Sequence, residues 1–268
     1  MNDRSSNNHG SIRILPFYIF LCLTAVYIVS GLSVNSQAAV LVKWQTNYNK
    51  AVSSLKNKKY NSALEYAKKA LTENKNPYTY ELAANILQFK KQYKLSIVYY
   101  KKSIISVLKS KNFKNPNKFL SSVKNGIALN YLLTGNNLLK ERKINSAIKL
   151  YKKGLGYASE KQLVNFLTLN LAMSYENSNT NHLKTAIFYA NNVIKNNPSD
   201  SYAYFIKGRA EYASGELEHS LRDLKDAYKF NSKNKMISKA IYVVKKAIAY
   251  KKRKEIKQIK RNTTNLFK

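Results

Sequence analysis

The chain has 268 residues, of which 44% are hydrophobic and 12% aromatic, with only 8 glycines and 4 prolines. This composition argues against disorder over most of the chain and is enough for one sizeable core or an elongated array. The 47 Lys and Arg residues against 14 Asp and Glu residues give a formal net charge of +33. That charge favours anionic partners, although A/T-rich coding enriches Lys, Asn, Ile and Tyr regardless of function. The single cysteine, Cys22, excludes an intrachain disulfide framework and a thiolate metal site.

Residues 1–42 carry a hydrophobic segment. No residue from Ile14 to Val42 is charged, and the stretch ILPFYIFLCLTAVYIVSGLSV is apolar for about the 20 residues that a bilayer-spanning helix needs. It is either a signal peptide, with a small-residue cleavage site at residues 36–38, or a retained membrane anchor. Basic residues flank it almost equally, so the positive-inside comparison is nearly balanced. We expect a membrane-associated or exported protein, with the remaining chain on the extracytoplasmic or periplasmic side.

Beyond Lys43 the sequence repeats a helical pattern. Five small residues follow one another at spacings of 33, 51, 39 and 34 residues: Ala63, Ser96, Ala147, Ala186 and Ser220. Each opens a ladder of small or medium residues at i, i+4 and i+7, which forms one stripe on a helix. The ladders are Ala63, Ala67 and Ala70; Ser96, Tyr100 and Ser103; Ala147, Tyr151 and Gly154; Ala186, Ala190 and Val193; Ser220, Leu224 and Ala227. The pattern predicts about five helical hairpins, each docked through its small-residue stripe.

The hairpins resemble the tetratricopeptide repeat (TPR). The last copy has Gly208, Gly215, Ser220 and Ala227 where the family has small or turn residues, with Tyr204 in the large position. Other matching positions are Ala84, Gly135 and Pro198, whereas Lys207, Glu211 and Lys50 occupy positions that are usually apolar in the family. The resemblance implies an all-α superhelical solenoid whose first helices line a concave groove.

The array divides into four predicted parts after the N-terminal segment. Residues 43–108 hold the first two repeats and residues 127–233 hold the last three. Between them, residues 109–126 form a polar connecting insertion with one proline, read either as a plain loop ending in an extra helical turn or as a binding loop. Residues 234–268 are predicted to form a capping helix and a basic tail.

The register of the family implies which residues face the groove. Aromatic side chains offer large contact areas and asparagine can pair with a peptide backbone, so the groove suits an extended peptide or a partner's helix. The alternative for each tyrosine is packing between repeats. The lysine and asparagine clamp by which some relatives hold a C-terminal carboxylate is not evident. The predicted contact residues are Tyr48, Tyr78, Glu81, Asn85, Asn136, Tyr202, Phe205, Arg209 and Tyr212.

The last helix has two different halves. Its first half carries an apolar face that can cover the exposed end of the final hairpin: Ile237, Ala240, Ile241, Val244, Ala247 and Ile248. Its second half is strongly basic, which suits either a solvated helix end or docking on an anionic surface such as lipid. The residues predicted for such docking are Lys251, Lys252, Arg253, Lys254, Lys257, Lys260 and Arg261.

The sequence contains no motif for catalysis. It lacks a Gly-rich phosphate loop and a nucleophile elbow, and its three histidines are far apart in the sequence. We therefore expect no bound metal, no cofactor and no enzymatic activity. His219 and Asp223 lie one helical turn apart, which indicates pairing on a solvated face rather than a catalytic base and its orienter. The leading prediction is a non-enzymatic scaffold that binds another cell-envelope protein. The alternatives are docking of the basic tail on anionic lipid and nucleic-acid binding, which the hydrophobic segment disfavours.

Overall fold

The computed structural model describes residues 38–178 and 180–266, with side chains over 43–178 and 181–263. The predicted signal or anchor segment therefore lies, up to residue 37, outside the described residues. Among the helices that are described, none combines the length and the hydrophobicity needed to cross a bilayer.

The described part of the chain folds into eleven α-helices and one 3₁₀ turn. The helices are α1 (Ala38–Lys56), α2 (Tyr60–Glu73), α3 (Pro77–Phe89), α4 (Tyr93–Lys109), α5 (Pro116–Lys140), α6 (Ile144–Leu155), α7 (Lys161–Glu176), α8 (Leu183–Asn196), α9 (Ser201–Ala213), α10 (Leu217–Phe230) and α11 (Lys235–Leu266). The 3₁₀ turn, Thr180–His182, precedes α8. An all-α fold was predicted and is confirmed.

The helices pair into five successive hairpins, α1 with α2 through α9 with α10, and α11 packs against the last one. Each hairpin also packs on the next. The first helices contact one another along the array, α1 with α3, α3 with α5, α5 with α7 and α7 with α9. Over the described residues the second helices make no comparable contact with one another. The first helices therefore lie on the inner, concave side of a solenoid, as the resemblance implies.

The small-residue stripes lie at the interface between the two helices of each hairpin, which forms the seam of that hairpin. All fifteen ladder residues are buried. The Ser96 hydroxyl donates to the carbonyl oxygen of Ala84 at 2.7 Å, and the Ser220 hydroxyl donates to that of Gly208 at 2.6 Å. Because the same bond closes two separate hairpins, the second and fifth copies are equivalent units, which confirms the predicted repeat.

Glycine permits the closest approach within the third hairpin. A Cβ atom added to Gly135 on α5 would lie 2.4 Å from Cε1 of Tyr151 on α6, far inside van der Waals contact. The Tyr151 ring is fully buried in this space. A bulky aromatic residue on the second helix is thus accommodated by the absence of a side chain on the first.

The predicted insertion is mostly helical, which corrects the expectation of a loop with one extra turn. Helix α4 ends at Lys109 and α5 begins at Pro116, so only residues 110–115 connect them. Proline suits the first turn of a helix, and Phe119, Val123 and Ile127 then recur at helical spacing and pack with Tyr100. The third hairpin consequently has a first helix of 25 residues, about twice as long as α3.

The C-terminal helix covers the end of the array, as predicted. Ile237 and Val244 are buried against Phe205, Leu224 and Ala227 of the last hairpin. From residue 249 to residue 263 every side chain is exposed. Up to residue 263, the second half of α11 therefore takes no part in the core formed by the described residues.

Candidate partner-binding surface

The predicted contact residues fall into two groups at opposite ends of the inner surface, with Asn136 between them. Tyr48, Tyr78 and Glu81 belong to the first two hairpins. Glu81 is buried, with 9% of its surface exposed, and the Ser122 hydroxyl on α5 donates to its Oε1 at 3.3 Å. Burial raises the pKa of Glu81 to about 7. The long first helix of the third hairpin thus covers a carboxylate that the family register placed in the open groove.

The aromatic residues of this group are partly packed. The Tyr78 ring lies 5.3 Å from that of Phe113 and 5.1 Å from that of Phe119, between ring centroids, yet Tyr78 remains 37% exposed. Tyr48 contacts Trp44 edge-on at 6.1 Å, and burial, with a smaller contribution from the nearby Glu81 carboxylate, raises its pKa to about 12. Tyr78 is therefore the accessible member of the group. Phe113 and Phe119 were missed because they lie in the segment read as a polar connection.

Asn85 and Asn136 are held in equivalent positions by tyrosines of their own hairpins. The Tyr151 hydroxyl donates to Oδ1 of Asn136 at 2.8 Å, and the Tyr100 hydroxyl donates to Oδ1 of Asn85 in the same way. Each tyrosine is 15 residues after its asparagine. Since the tyrosine uses one lone pair of Oδ1, each asparagine still offers a partner the Nδ2 donor and the second lone pair of Oδ1.

The second group lies on α9 and α7. Arg209 Nη2 is 2.9 Å from Oε1 of Glu176, whose side chain is 8% exposed. The Arg209 guanidinium also lies 5.6 Å from the centroid of the Phe205 ring. The Tyr202 hydroxyl donates to Sδ of Met173 at 3.9 Å. Burial raises the pKa of Glu176, and the Arg209 charge opposes that shift. Glu176 and Met173 were missed because their significance comes from contacts with Arg209 and Tyr202 on the next first helix.

Accessibility separates the members of the second group. Tyr212 and the Arg209 side chain are 39% and 41% exposed, and Tyr202 is half-buried. Phe205 is only 3% exposed and packs against Leu224 under α11. The alternative of packing between elements thus applies to Phe205, since a partner cannot reach its ring in this fold.

A buried ionic cluster explains two departures from the family pattern. Lys207 Nζ lies 3.0 Å from Oδ2 of Asp223 and 3.8 Å from Oε1 of Glu211. Both carboxyl groups are 3% exposed. The polar residues at 207 and 211 therefore lie together with Asp223 inside the last hairpin, where Lys207 pairs with both carboxyl groups, while Oε2 of Glu211 has no hydrogen-bond partner among the described residues.

The expected pairing of His219 with Asp223 on a solvated face is wrong. His219 Nδ1 lies 3.1 Å from Oε2 of Glu216, whereas Asp223 turns into the hairpin towards Lys207. Over the described residues, no three His, Cys, Asp or Glu side chains have the arrangement of a metal site.

Charge is distributed unevenly between the two sides of the array. Helix α3 contains no Lys or Arg and α7 contains only Lys161. The other first helices do carry cations, three lysines each on α1 and α5 and two basic residues on α9, so that the first helices together have nine Lys and Arg residues against fourteen on the second helices. All seven residues predicted to meet an anionic surface are exposed on α11. The predicted contact residues on the first helices are mainly tyrosine and asparagine side chains, whereas the second half of α11 is strongly basic.

Solved structures with the same architecture are TPR proteins. The Hsp90 co-chaperone Cns1 from Saccharomyces cerevisiae aligns with 25% identity over 53% of this chain and 46% of its own, with a TM-score of 0.50. YrrB, described as a TPR protein with an unusual peptide-binding site, aligns with 17% identity over 74% of this chain and 90% of its own, with a TM-score of 0.48. The first TPR domain of human RPAP3 aligns with 24% identity over 48% of this chain and 98% of its own, with a TM-score of 0.44. Neither protein-family models nor curated proteins give a match.

Proposed function

Because the chain is a tetratricopeptide-repeat protein, we propose that it is a non-enzymatic scaffold that holds a partner protein or peptide on its concave surface. The observation that carries this proposal is the set of accessible contact groups on the first helices, Tyr78, Asn85, Asn136, Arg209 and Tyr212. Tyrosine and arginine supply much of the binding energy at protein interfaces. The similarity to Cns1, an Hsp90 co-chaperone, supports a role in binding another protein.

The charge of the inner surface restricts the partner segment. Among the nine predicted contact residues Arg209 is the only cation, and Glu176 already pairs with it. A segment with clustered acids would find no free lysine clamp at these positions. We therefore propose an uncharged or weakly charged segment, with backbone amides facing Asn85 and Asn136.

The partner is proposed to be a protein of the cell envelope. The uncharged stretch from Ile14 to Val42 supports this location, since it has the length and composition of a signal or anchor. Protease accessibility in intact and opened cells, together with the mass of the mature chain, tests it. Digestion only after the cells are opened, with the N-terminal segment neither inserted nor removed, would contradict the envelope location.

A pair of matched double variants tests the groove. Tyr78→Ala with Tyr212→Ala removes two inner tyrosines that are 37% and 39% exposed, and Tyr228→Ala with Tyr242→Ala removes two from outside the groove that are 42% and 56% exposed. Partners are captured by cross-linking in membranes and identified by mass spectrometry. We expect the inner pair to lose a partner that the outer pair retains; an unchanged partner set for the inner pair would exclude the groove.

A further inference from the structure

Over the described residues, the second half of α11 belongs to none of the hydrophobic core clusters. Ile237 and Val244 anchor the first half, but from residue 249 onward every described side chain is exposed, through Thr263. A single helix of about five turns gains little stability in water without packing. Arg253, Lys257 and Arg261 follow one another at i and i+4, a spacing at which like charges destabilise a helix.

This half of α11 is amphipathic. At 100° per residue, the basic side chains from 253, 254, 257, 260 and 261 share one face. Ile256 and Ile259 lie on the neighbouring face and are 54% and 64% exposed. Glu255 is the only acid between residues 245 and 268. Lys252 lies on the same side as the two isoleucines, one turn before Ile256. The helix thus joins a continuous cationic face to a short apolar one over residues 256–259.

We infer that residues 249–263 of α11 dock on an anionic lipid surface, with the basic face on the headgroups and Ile256 and Ile259 in the interfacial region. Charge complementarity selects an anionic partner. The exposed isoleucines favour lipid over nucleic acid, because phosphate contacts need only the cations. The docking neutralises the stacked like charges and buries the isoleucines, which removes both of the features that destabilise the free helix. It is independent of the proposed groove partner.

A fluorescent label on the full chain tests this docking without interference from the N-terminal segment. An environment-sensitive fluorophore is attached to a Thr263→Cys variant in a Cys22→Ser background, with Gln258→Cys as the control on the side opposite Ile256. Vesicles of phosphatidylserine with phosphatidylcholine are compared with phosphatidylcholine alone. We expect a blue shift at position 263, a much smaller one at 258, and none at either position with phosphatidylcholine. No shift, or an equal shift with both lipids, would overturn the inference.

Charge and apolar variants separate lipid from nucleic acid. Each basic residue near anionic lipid contributes about fivefold, ~1 kcal/mol. Arg253→Gln, Lys257→Gln and Arg261→Gln together should therefore weaken binding of the helix by about 100-fold, measured as the lipid concentration that gives half of the blue shift at position 263. The control is the same change at three exposed lysines of the second helices, Lys68, Lys101 and Lys149, which should change binding by less than about fivefold. Ile256→Asn with Ile259→Asn should abolish the blue shift. If instead duplex DNA or RNA binds the helix, with no effect of the isoleucine variants and no vesicle signal, the occupant is nucleic acid and the lipid assignment is wrong.

Discussion

Three ionisable residues share the interior of the last hairpin, where apolar residues are the rule in the family. Burial, with a smaller contribution from the hydrogen bond and charge of Asp223, raises the pKa of Glu211 to about 8. Lys207 opposes this shift but does not cancel it. The folded hairpin therefore keeps a proton on Glu211 at pH values where an unfolded chain, with a carboxyl pKa of about 4.5, has released it.

The stability of the protein is predicted to fall as pH rises from about 5 to 8. When the pKa of a carboxyl group is higher in the folded state than in the unfolded state, the group contributes its full stabilisation at pH values below the unfolded-state pKa. This contribution to the free energy of unfolding is lost as the pH rises to the folded-state pKa. Glu81, with a pKa raised to about 7, acts in the same direction but only below that pH. In Glu211→Gln, the free energy of unfolding should therefore fall less steeply between pH 7 and 8, by up to about 1.4 kcal/mol per pH unit. Glu81→Gln should reduce this slope only at lower pH. An unchanged slope above pH 7 in Glu211→Gln would refute the assignment.

At the scale of the element, the close packing of α5 against α6 in the third hairpin depends on a glycine at residue 135. Gly135→Ala forces its Cβ into the Tyr151 ring, and overpacking of this kind costs about 1–3 kcal/mol. Gly156→Ala is the control, because its Cβ would meet only the carbonyl oxygen of Lys153 at 3.4 Å. Urea denaturation should show a lower midpoint for the first variant and little change for the second. Equal midpoints would mean that the tyrosine moves freely out of the seam.

The sequence predicts the packing of the two helices within each hairpin but not the contacts between hairpins. A stripe of small residues at i, i+4 and i+7 is a local signal, and Ala63, Ala147 and Ser220 are buried where that signal places them. The helical start of α5 was missed since its packing partner, Tyr100, lies in the preceding hairpin. Glu176 was likewise missed because its significance comes from Arg209 on the next first helix. Residue spacing reports contacts within one hairpin, whereas burial of Glu81 and Phe205 depends on how neighbouring units stack.

At the scale of the molecule, the fold is a one-dimensional series in which each hairpin contacts its neighbours. The stability of such arrays is close to a sum of unit and interface contributions, and the terminal units depend on caps. Here the cap is the first half of α11, which covers Phe205 and Leu224. In the part of the chain that the structure describes, the second half of α11 lies outside every core cluster.

Two truncated forms of the chain are predicted to differ sharply in thermal stability. A chain ending at residue 250 keeps Ile237 and Val244 in place and should unfold within a few degrees of the full chain. A chain ending at residue 234 loses both, and each fully buried side chain of this kind is worth about 1.5–3 kcal/mol. Because coupling along the array is between neighbours, hydrogen exchange should accelerate in α9 and α10 of the shorter chain while α2 stays protected. Equal acceleration in α2 would show instead that the five hairpins unfold as one cooperative unit.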